Sequence, residues 1–259
     1  MSESRRHRRG GRRRPAAETP GGTPERINRF LARCGLCSRR EADRWILTGR
    51  VRINGAVVTT PGIRVGAGDR VEVDGRPVTP EPRHSYLAYH KPPGLLCARS
   101  DPRGRPLIYD RIEVAPNVQS VGRLDMESEG LLLLTSDGAL ARRLTSPASA
   151  IEREYRVRIA GHLSLVEIAR LQQGGIEIGK GEVSLPWRLT VDAETGGHSW
   201  LTATLTRGRW REIRRTLAAL GHPVRRLIRI RFGPIRLDDL PRGAIRPLNR
   251  GERRLLLRL

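Results

Sequence analysis

Apolar residues near the start of the chain first recur at helical spacing and then alternate. Two groups lie three or four positions apart, as on one helix face: Ile27, Phe30, Leu31 and Cys34, then Ala42, Trp45 and Ile46. Gly35 and Gly49 follow these groups and end the two predicted helices. Alternating apolar residues come next, around the hairpin dipeptide Asn54-Gly55. Residues 26–78 therefore predict a small module of two helices followed by short strands.

Residues 84–248 combine both periodicities and predict one larger domain of the α+β class. Apolar positions alternate, as in strands, in three segments: Tyr155–Ile159, Leu201–Leu205 and Leu227–Phe232. They recur at helical spacing in two others: Leu163–Leu171 and Arg211–Leu220. The uninterrupted run Leu131–Leu134 indicates a buried strand, and Asp137 can cap a helix over residues 139–144. Few helices among many strands favour an extended, mainly antiparallel sheet.

Three polar segments flank or join these two units. Residues 1–25 contain arginine clusters and almost no apolar residues, so burial cannot offset their ordering entropy and they predict a disordered basic arm. Such an arm would either bind RNA or serve only as a solubilising tail. Residues 79–83 form a proline-containing linker, and residues 249–259 are interpreted as a basic C-terminal tail.

The charge of the chain indicates a polyanionic partner. The formal net charge is +22, and nearly all positive charge is arginine, because Lys91 and Lys180 are the only lysines. Arginine forks suit phosphate contacts, and basic surfaces gain affinity by releasing counterions from nucleic acid. A solvated basic surface without a specific partner is the alternative. No apolar run approaches the ~20 residues of a membrane span, so we expect a cytoplasmic protein without membrane contact.

Cys34 and Cys37 have the C-x-x-C spacing of a zinc or redox pair. No second cysteine pair follows at the spacing of a zinc finger, and the six histidines are scattered along the sequence. Two packed thiols are therefore the preferred interpretation, and a metal site is the alternative.

A polar loop precedes the run Leu131–Leu134 and carries Arg123 and Asp125. A side chain held beside a rigid buried strand is well placed to act as a nucleophile. The residues alone fit a structural ion pair equally well. Glu127 and Glu129 lie in the same loop, where neighbouring carboxylates are more often solvated or structural than catalytic.

The N-terminal module resembles a known RNA-binding domain. Residues 35–42, with the pattern G-x-x-S-R-R-E-A, and residues 49–55, with G-x-V-x-I-N-G, resemble the S4 domain. The resemblance implies that the two helices dock on structured RNA. Five arginines of these helices would contact the RNA: Arg29, Arg33, Arg39, Arg40 and Arg44. A solvated basic helix face is the alternative.

The loop around Asp125 and the strand after it carry a longer resemblance. Residues 122–138 read G-R-L-D-M-E-S-E-G-L-L-L-L-T-S-D-G, which is similar to the signature of pseudouridine synthases that also contain an S4 domain. Further blocks lie in the order found in that family: residues 89–94, 101–105, 154–157 and 208–215. The resemblance implies that the chain isomerises a uridine of ribosomal RNA, as in the group that modifies the large subunit.

The family pattern also assigns roles to individual residues. It places the nucleophile, which attacks C1′ of an extruded uridine, at Asp125, and the charge partner of this aspartate at Arg214. Tyr155 follows the family's tyrosine that packs against the base, and Arg123 follows the arginine that enters the RNA stack. Glu212 stands where many relatives have glutamine. No metal or organic cofactor is implied.

The expected partner is folded ribosomal RNA, such as a stem-loop of the large subunit or of its precursor particle, bound by a monomer. Two alternatives come from other functional classes. A non-catalytic S4-type assembly factor would also be basic, but it would leave Asp125, Tyr155 and Arg214 without a role. An N-glycosidase would need a second carboxylate to activate water, whereas isomerisation must exclude water.

Overall fold

A computed structural model describes residues 23–80 and 83–259, which form two compact units. The N-terminal unit contains the described residues up to Cys34 and Arg39–Pro80, and the C-terminal unit contains Gly35–Ser38 and the described residues after Pro80. The arm expected over residues 1–25 lies outside the described residues up to position 22, as do two positions of the linker over 79–83. Across the described ranges, no helix combines the length and the apolar character needed to span a bilayer.

The N-terminal unit consists of short helices and short strands. In chain order its elements are β1 (Glu25–Arg26), α1 (Ile27–Arg33), α2 (Arg39–Leu47), β2 (Val51–Ile53), β3 (Ala56–Val58), β4 (Arg64–Val65), β5 (Val71–Val73) and β6 (Arg76–Pro77). Strands β3, β2, β5 and β6 are neighbours in that order in an antiparallel sheet, and β1 pairs with β4. The two predicted helices and the strands after them are confirmed.

The apolar helix faces build the core of this unit. Ile27 and Leu31 of α1 and Ile46 of α2 are fully buried. Asn54 and Gly55 have φ values of 51° and 83°, which a two-residue hairpin turn between β2 and β3 requires. The helix arginines are all exposed: Arg29, Arg33, Arg39, Arg40 and Arg44.

The C-terminal unit is larger and contains most of the strands. In chain order its elements are β7 (Tyr86–Lys91), β8 (Gln119–Ser120), β9 (Glu129–Thr135), α3 (Gly138–Thr145), β10 (Arg153–Ala160), α4 (Leu165–Gln173), β11 (Arg188–Thr195), β12 (His198–Leu205), α5 (Glu212–Ala219), β13 (Val224–Phe232), β14 (Ile235–Arg236), β15 (Ile245–Pro247) and α6 (Arg250–Arg258). Two 3₁₀ turns, Ile108–Asp110 and Pro147–Ser149, lie in its connections.

One sheet of nine strands runs through this unit. Its main order is β11-β12-β10-β13-β9-β7-β15, while β14 pairs with β13 and β8 pairs with β9. All of these pairs are antiparallel except β9 with β13. The expected α+β class with an extended, mainly antiparallel sheet is therefore confirmed.

Strand β9 is covered on both of its faces. Leu131 and Leu133 pack in one apolar cluster with residues of α3 and α6, and Leu132 and Leu134 pack in another with Tyr89. All seven residues of β9 are buried. Burial on both faces explains why the sequence shows an uninterrupted apolar run here instead of alternation.

Capping residues fix where α3 and α6 begin. Asp137 accepts hydrogen bonds from the backbone N–H groups of Ala139 and Leu140, which confirms the predicted cap of α3. The interpretation of residues 249–259 as a basic tail is corrected, because most of them form α6. Asn249 and Glu252 cap its first turn reciprocally.

Candidate active site

The loop that carries Asp125 connects β8 to β9, and a buried lysine binds its backbone carbonyls. Lys91, at the end of β7, is fully buried. Its Nζ donates to four backbone carbonyls: Ser128 at 2.8 Å, Pro92 at 3.0 Å, Asp125 at 3.2 Å and Met126 at 3.3 Å. Burial lowers the pKa of Lys91, although the nearby negative charge of Asp125 opposes this shift. Lys91 thus fixes the backbone at the candidate nucleophile and just after it.

The start of β9 needs a glycine. Gly130 has a φ of 109° and pairs in parallel with Arg229 of β13, and a side chain at Gly130 would collide with the Arg229 backbone. Arg229 itself is buried, with Nε donating to the Leu131 carbonyl at 2.7 Å and Nη1 to the Arg123 carbonyl at 3.5 Å. Its Nη2 has no hydrogen-bond partner among the described residues. The guanidinium therefore fastens both ends of the loop to β13.

Arg214 approaches the same loop from α5. Its Nη2 lies 3.4 Å from both the Glu127 carbonyl and the Ser128 hydroxyl, and its Nη1 donates to the Val224 carbonyl at 3.3 Å. Burial, followed by the positive charge of Arg211, lowers the pKa of Arg214. The charge of Asp125 acts in the opposite direction, so the two groups interact electrostatically.

Asp125 is half-buried, and its carboxylate forms no ion pair or hydrogen bond with another residue of the ranges that the structure describes. Arg214, the predicted charge partner, acts on Asp125 through its charge, without a direct hydrogen bond or ion pair within these ranges. Arg214 instead donates to the loop just after the aspartate, at the Glu127 carbonyl and the Ser128 hydroxyl. The carboxylate oxygens remain available to a substrate atom.

The two glutamates of the loop take part in ion pairs. Glu127 is exposed and lies 2.6 Å from Nη1 of Arg211, whose hydrogen bond lowers the pKa of this carboxyl. Glu129 is buried and pairs with Arg226 and with Arg242, the latter at 2.8 Å in an ion pair without hydrogen-bond geometry. These contacts support the structural interpretation of both side chains.

Glu212 opens α5 as a buried carboxylate. One oxygen accepts from the backbone N–H of Arg209 at 2.9 Å and the other from that of Leu185 at 3.1 Å. A carboxylate can accept both bonds, whereas a glutamine offers only one acceptor oxygen. The glutamate therefore suits this chain and fixes the segment before α5, including the preceding Arg211.

The residues expected at the site surround one open cleft of about 950 Å³. Asp125, Tyr155, Arg214 and Arg123 all line it. Its walls also contain six other arginines: Arg105, Arg153, Arg207, Arg209, Arg211 and Arg229. With four acidic residues on the same surface (Asp101, Asp125, Glu127 and Glu212), the cleft has a net positive lining suited to a phosphate backbone.

Tyr155 lies half-buried in β10, opposite Ala203 of β12 and Arg229 of β13, and its ring packs at the edge of two apolar clusters. Arg123 lies near the start of the loop between β8 and β9, and its side chain is exposed. The ring can thus form an apolar wall for a planar base, while the arginine side chain can reach into solvent or into bound RNA.

Cys34 belongs to the N-terminal unit, and Cys37 lies in the segment Gly35–Ser38, which groups with the C-terminal unit. Cys34 is half-buried and Cys37 is buried. Burial raises the pKa of the Cys34 thiol to about 11, so this group is protonated at neutral pH.

Comparison with known proteins agrees with this geometry. A family model described as RNA pseudouridylate synthase matches residues 85–219, more than half of the chain. The chain belongs to the RNA pseudouridylate synthase family. A second model, the S4 domain, matches residues 25–71 of this synthase. The RNA-binding module and the catalytic domain are thus both recognised.

Relatives of the synthase are similar over most of its length. It is 39% identical to a ribosomal large subunit pseudouridine synthase B of Haemophilus influenzae, over 88% of this chain and 66% of that enzyme. It is 41% identical to an uncharacterized RNA pseudouridine synthase of Aquifex aeolicus, over 88% and 91% of the two chains. A crystal structure of a pseudouridylate synthase matches with a TM-score of 0.64 and 31% identity, covering 89% of this chain and 99% of the other.

Proposed function

We propose that this synthase converts a specific uridine of large-subunit ribosomal RNA to pseudouridine, with Asp125 as the nucleophile. The observation that carries this proposal is the state of the Asp125 carboxylate. It lies in an arginine-lined cleft, without a competing partner among the described residues, on a loop whose backbone is held by Lys91. Such a fixed anionic group is suited to attack at an electron-poor sugar carbon.

In the proposed reaction, a carboxylate oxygen of Asp125 bonds to C1′ while the N1–C1′ bond breaks, and N1 keeps the electron pair. The base then turns within the cleft, C5 bonds to C1′, and the ester bond to the aspartate breaks. The C5 proton is lost and N1 gains a proton, so the net change is an isomerisation. Tyr155 would hold the base against its ring during the turn, and Arg214 would hold the loop in place beside the aspartate.

The choice of RNA is supported by the relatives and by the S4 unit. Relatives that are 39% identical are named ribosomal large subunit pseudouridine synthase B. Five exposed arginines on α1 and α2 suit a second contact on folded RNA: Arg29, Arg33, Arg39, Arg40 and Arg44. A stem-loop with an unpaired uridine would satisfy both contacts at low extrusion cost. We propose a cytoplasmic monomer, in which Asp125, Tyr155 and Arg214 line one cleft.

Tritium release from [5-³H]uridine-labelled large-subunit RNA tests the chemistry, because only bond formation at C5 displaces that hydrogen. Asp125→Asn keeps the shape of the side chain but removes its charge, so the rate should fall by orders of magnitude while RNA affinity is retained. Glu127→Gln, in the same loop, is the matched control and should lose at most a few-fold.

Each contrary outcome has a distinct meaning. More than about a hundredth of the wild-type rate in Asp125→Asn would exclude the nucleophile, since loss of a covalent catalyst costs far more than that. Free uracil without tritium release would indicate an N-glycosidase. If neither free uracil nor tritium is released, the result would indicate an assembly factor. Loss of a pseudouridine only from small-subunit RNA in a deletion strain would contradict the large-subunit substrate.

A further inference from the structure

A large aromatic side chain stands exposed at the rim of the cleft. Trp210 lies in the segment between β12 and α5, and 57% of its surface is accessible. It lines the same cleft as Asp125. Exposing an indole to water is unfavourable, so an exposed tryptophan beside a binding cleft indicates a surface that a ligand covers.

The backbone around Trp210 is held on both sides. The preceding residue, Arg209, donates its backbone N–H to Glu212 at 2.9 Å. The following residue, Arg211, is paired with Glu127 at 2.6 Å, and the Trp210 carbonyl accepts from Nη1 of Arg215 at 3.2 Å. The indole is therefore presented by a fixed segment, which limits the entropy lost when a ligand packs on it.

Two cations lie against the indole, and they differ in mobility. Arg215 has its guanidinium carbon 5.4 Å from the ring centroid, and it is tied to the Ile178 carbonyl at 2.7 Å and to Glu182 at 2.5 Å. Lys180 places its Nζ 4.4 Å from the centroid but is exposed. Arg215 is thus a permanent support, whereas the Lys180 ammonium can move to a phosphate without breaking an ion pair within the described residues.

We propose that Trp210 stacks on an unpaired RNA base next to the extruded uridine, while Lys180 contacts a backbone phosphate. This inference rests on the proposed function, because it assumes that RNA enters the cleft. Stacking of a base on an aromatic ring tolerates any base, so Trp210 would strengthen binding and position the strand without reading its sequence. Trp210 would then be a positioning residue, with no part in the bond changes at the uridine.

Tritium release by Trp210→Ala and Trp210→Phe tests the stacking. The alanine variant should raise KM roughly 5- to 150-fold, the range of one base stack, while kcat changes much less. Phenylalanine keeps a stacking face and should recover most of the loss. Trp200→Phe is the matched control, because Trp200 also lies under an arginine, Arg156 at 4.9 Å, but on β12 outside the cleft lining.

Quenching of tryptophan fluorescence by a stem-loop RNA gives a second, activity-independent readout. Stacking should quench the indole, so the quench should shrink in Trp210→Phe and persist in Trp200→Phe. A KM unchanged by Trp210→Ala, or a phenylalanine variant no better than alanine at the same thermal midpoint, would overturn the stacking. A wild-type chain that binds and quenches but releases no tritium would overturn the proposed function and leave the stacking supported.

Discussion

Lys91→Met removes a buried ammonium that donates to four backbone carbonyls around the Asp125 loop. The carbonyls of Asp125 and Met126 keep a backbone donor, from Ser128 and Gly94, whereas those of Pro92 and Ser128 lose the donor that Lys91 supplies. Three N–H donors to carbonyls are worth about 1.5–3 kcal/mol each, or about 5–9 kcal/mol together. Removing the buried charge also removes its desolvation cost, which restores several kcal/mol of unfolding free energy. The net loss of unfolding free energy should be about 2–5 kcal/mol, which lowers the thermal midpoint of a unit of this size by roughly 5–15 °C.

The assay is thermal unfolding of the full chain followed by circular dichroism, with tritium release measured well below the transition. Lys180→Met is the control, because the only other lysine is exposed and should shift the midpoint by less than about 2 °C. Activity of Lys91→Met at low temperature should exceed that of Asp125→Asn, since Lys91 holds the backbone and does not touch the substrate. A midpoint within 2 °C of wild type would refute the reasoning about the carbonyl donors.

Three further variants test other parts of the molecule. Arg214→Ala should reduce turnover severely and Arg214→Lys should restore part of it, because a point charge can replace the fork; equal rates for both would contradict a charge effect. Arg39→Ala with Arg40→Ala should reduce the slope of log K against log salt by roughly 0.7–0.9 per lost phosphate contact, and an unchanged slope would show that these arginines do not touch RNA. Arg246→Met should remove the hydrogen bonds that lower the pKa of Glu252. Because that folded pKa is depressed, the stability advantage of wild type over Arg246→Met should be present above pH ~4.5 and fade on acidification below it, as urea unfolding at several pH values would show.

Local patterns predicted the elements whose partners are near in sequence. The N-cap at Asp137, the helices of the S4 unit and the buried run Leu131–Leu134 all follow from spacing and capping preferences, and the structure confirms them. The helix α6 was missed because its composition is dominated by arginine. Its signal was present, since Asn249 followed by Glu252 is a capping box.

Features that depend on distant partners could not be predicted. The alternation over Leu227–Phe232 predicted a strand but not which of its faces is buried, and Arg229 is more buried than its neighbours Ile228 and Ile230. The reason is its hydrogen bond to the carbonyl of Leu131, which lies 98 positions away. The family pattern likewise named Arg214 as the charge partner of Asp125, but its hydrogen bond to the loop backbone at Glu127 required the fold. Lys91 was part of a recognised block, but its four carbonyl partners required the fold.

The single parallel contact between β9 and β13 has a consequence for how the catalytic unit assembles. Only two residue pairs, Ile228 with Glu129 and Arg229 with Gly130, join the two halves of the sheet there. The paired residues of this junction are farther apart in the chain than those of β10 with β12, β10 with β13 or β7 with β9, so we expect the junction to form after these other pairs. We expect substitutions at Gly130 to accelerate unfolding more than they slow folding, because contacts absent from the transition state act on the unfolding rate. Asp125 lies on one side of this junction and Arg214 on the other, so activity during refolding should return later than secondary structure.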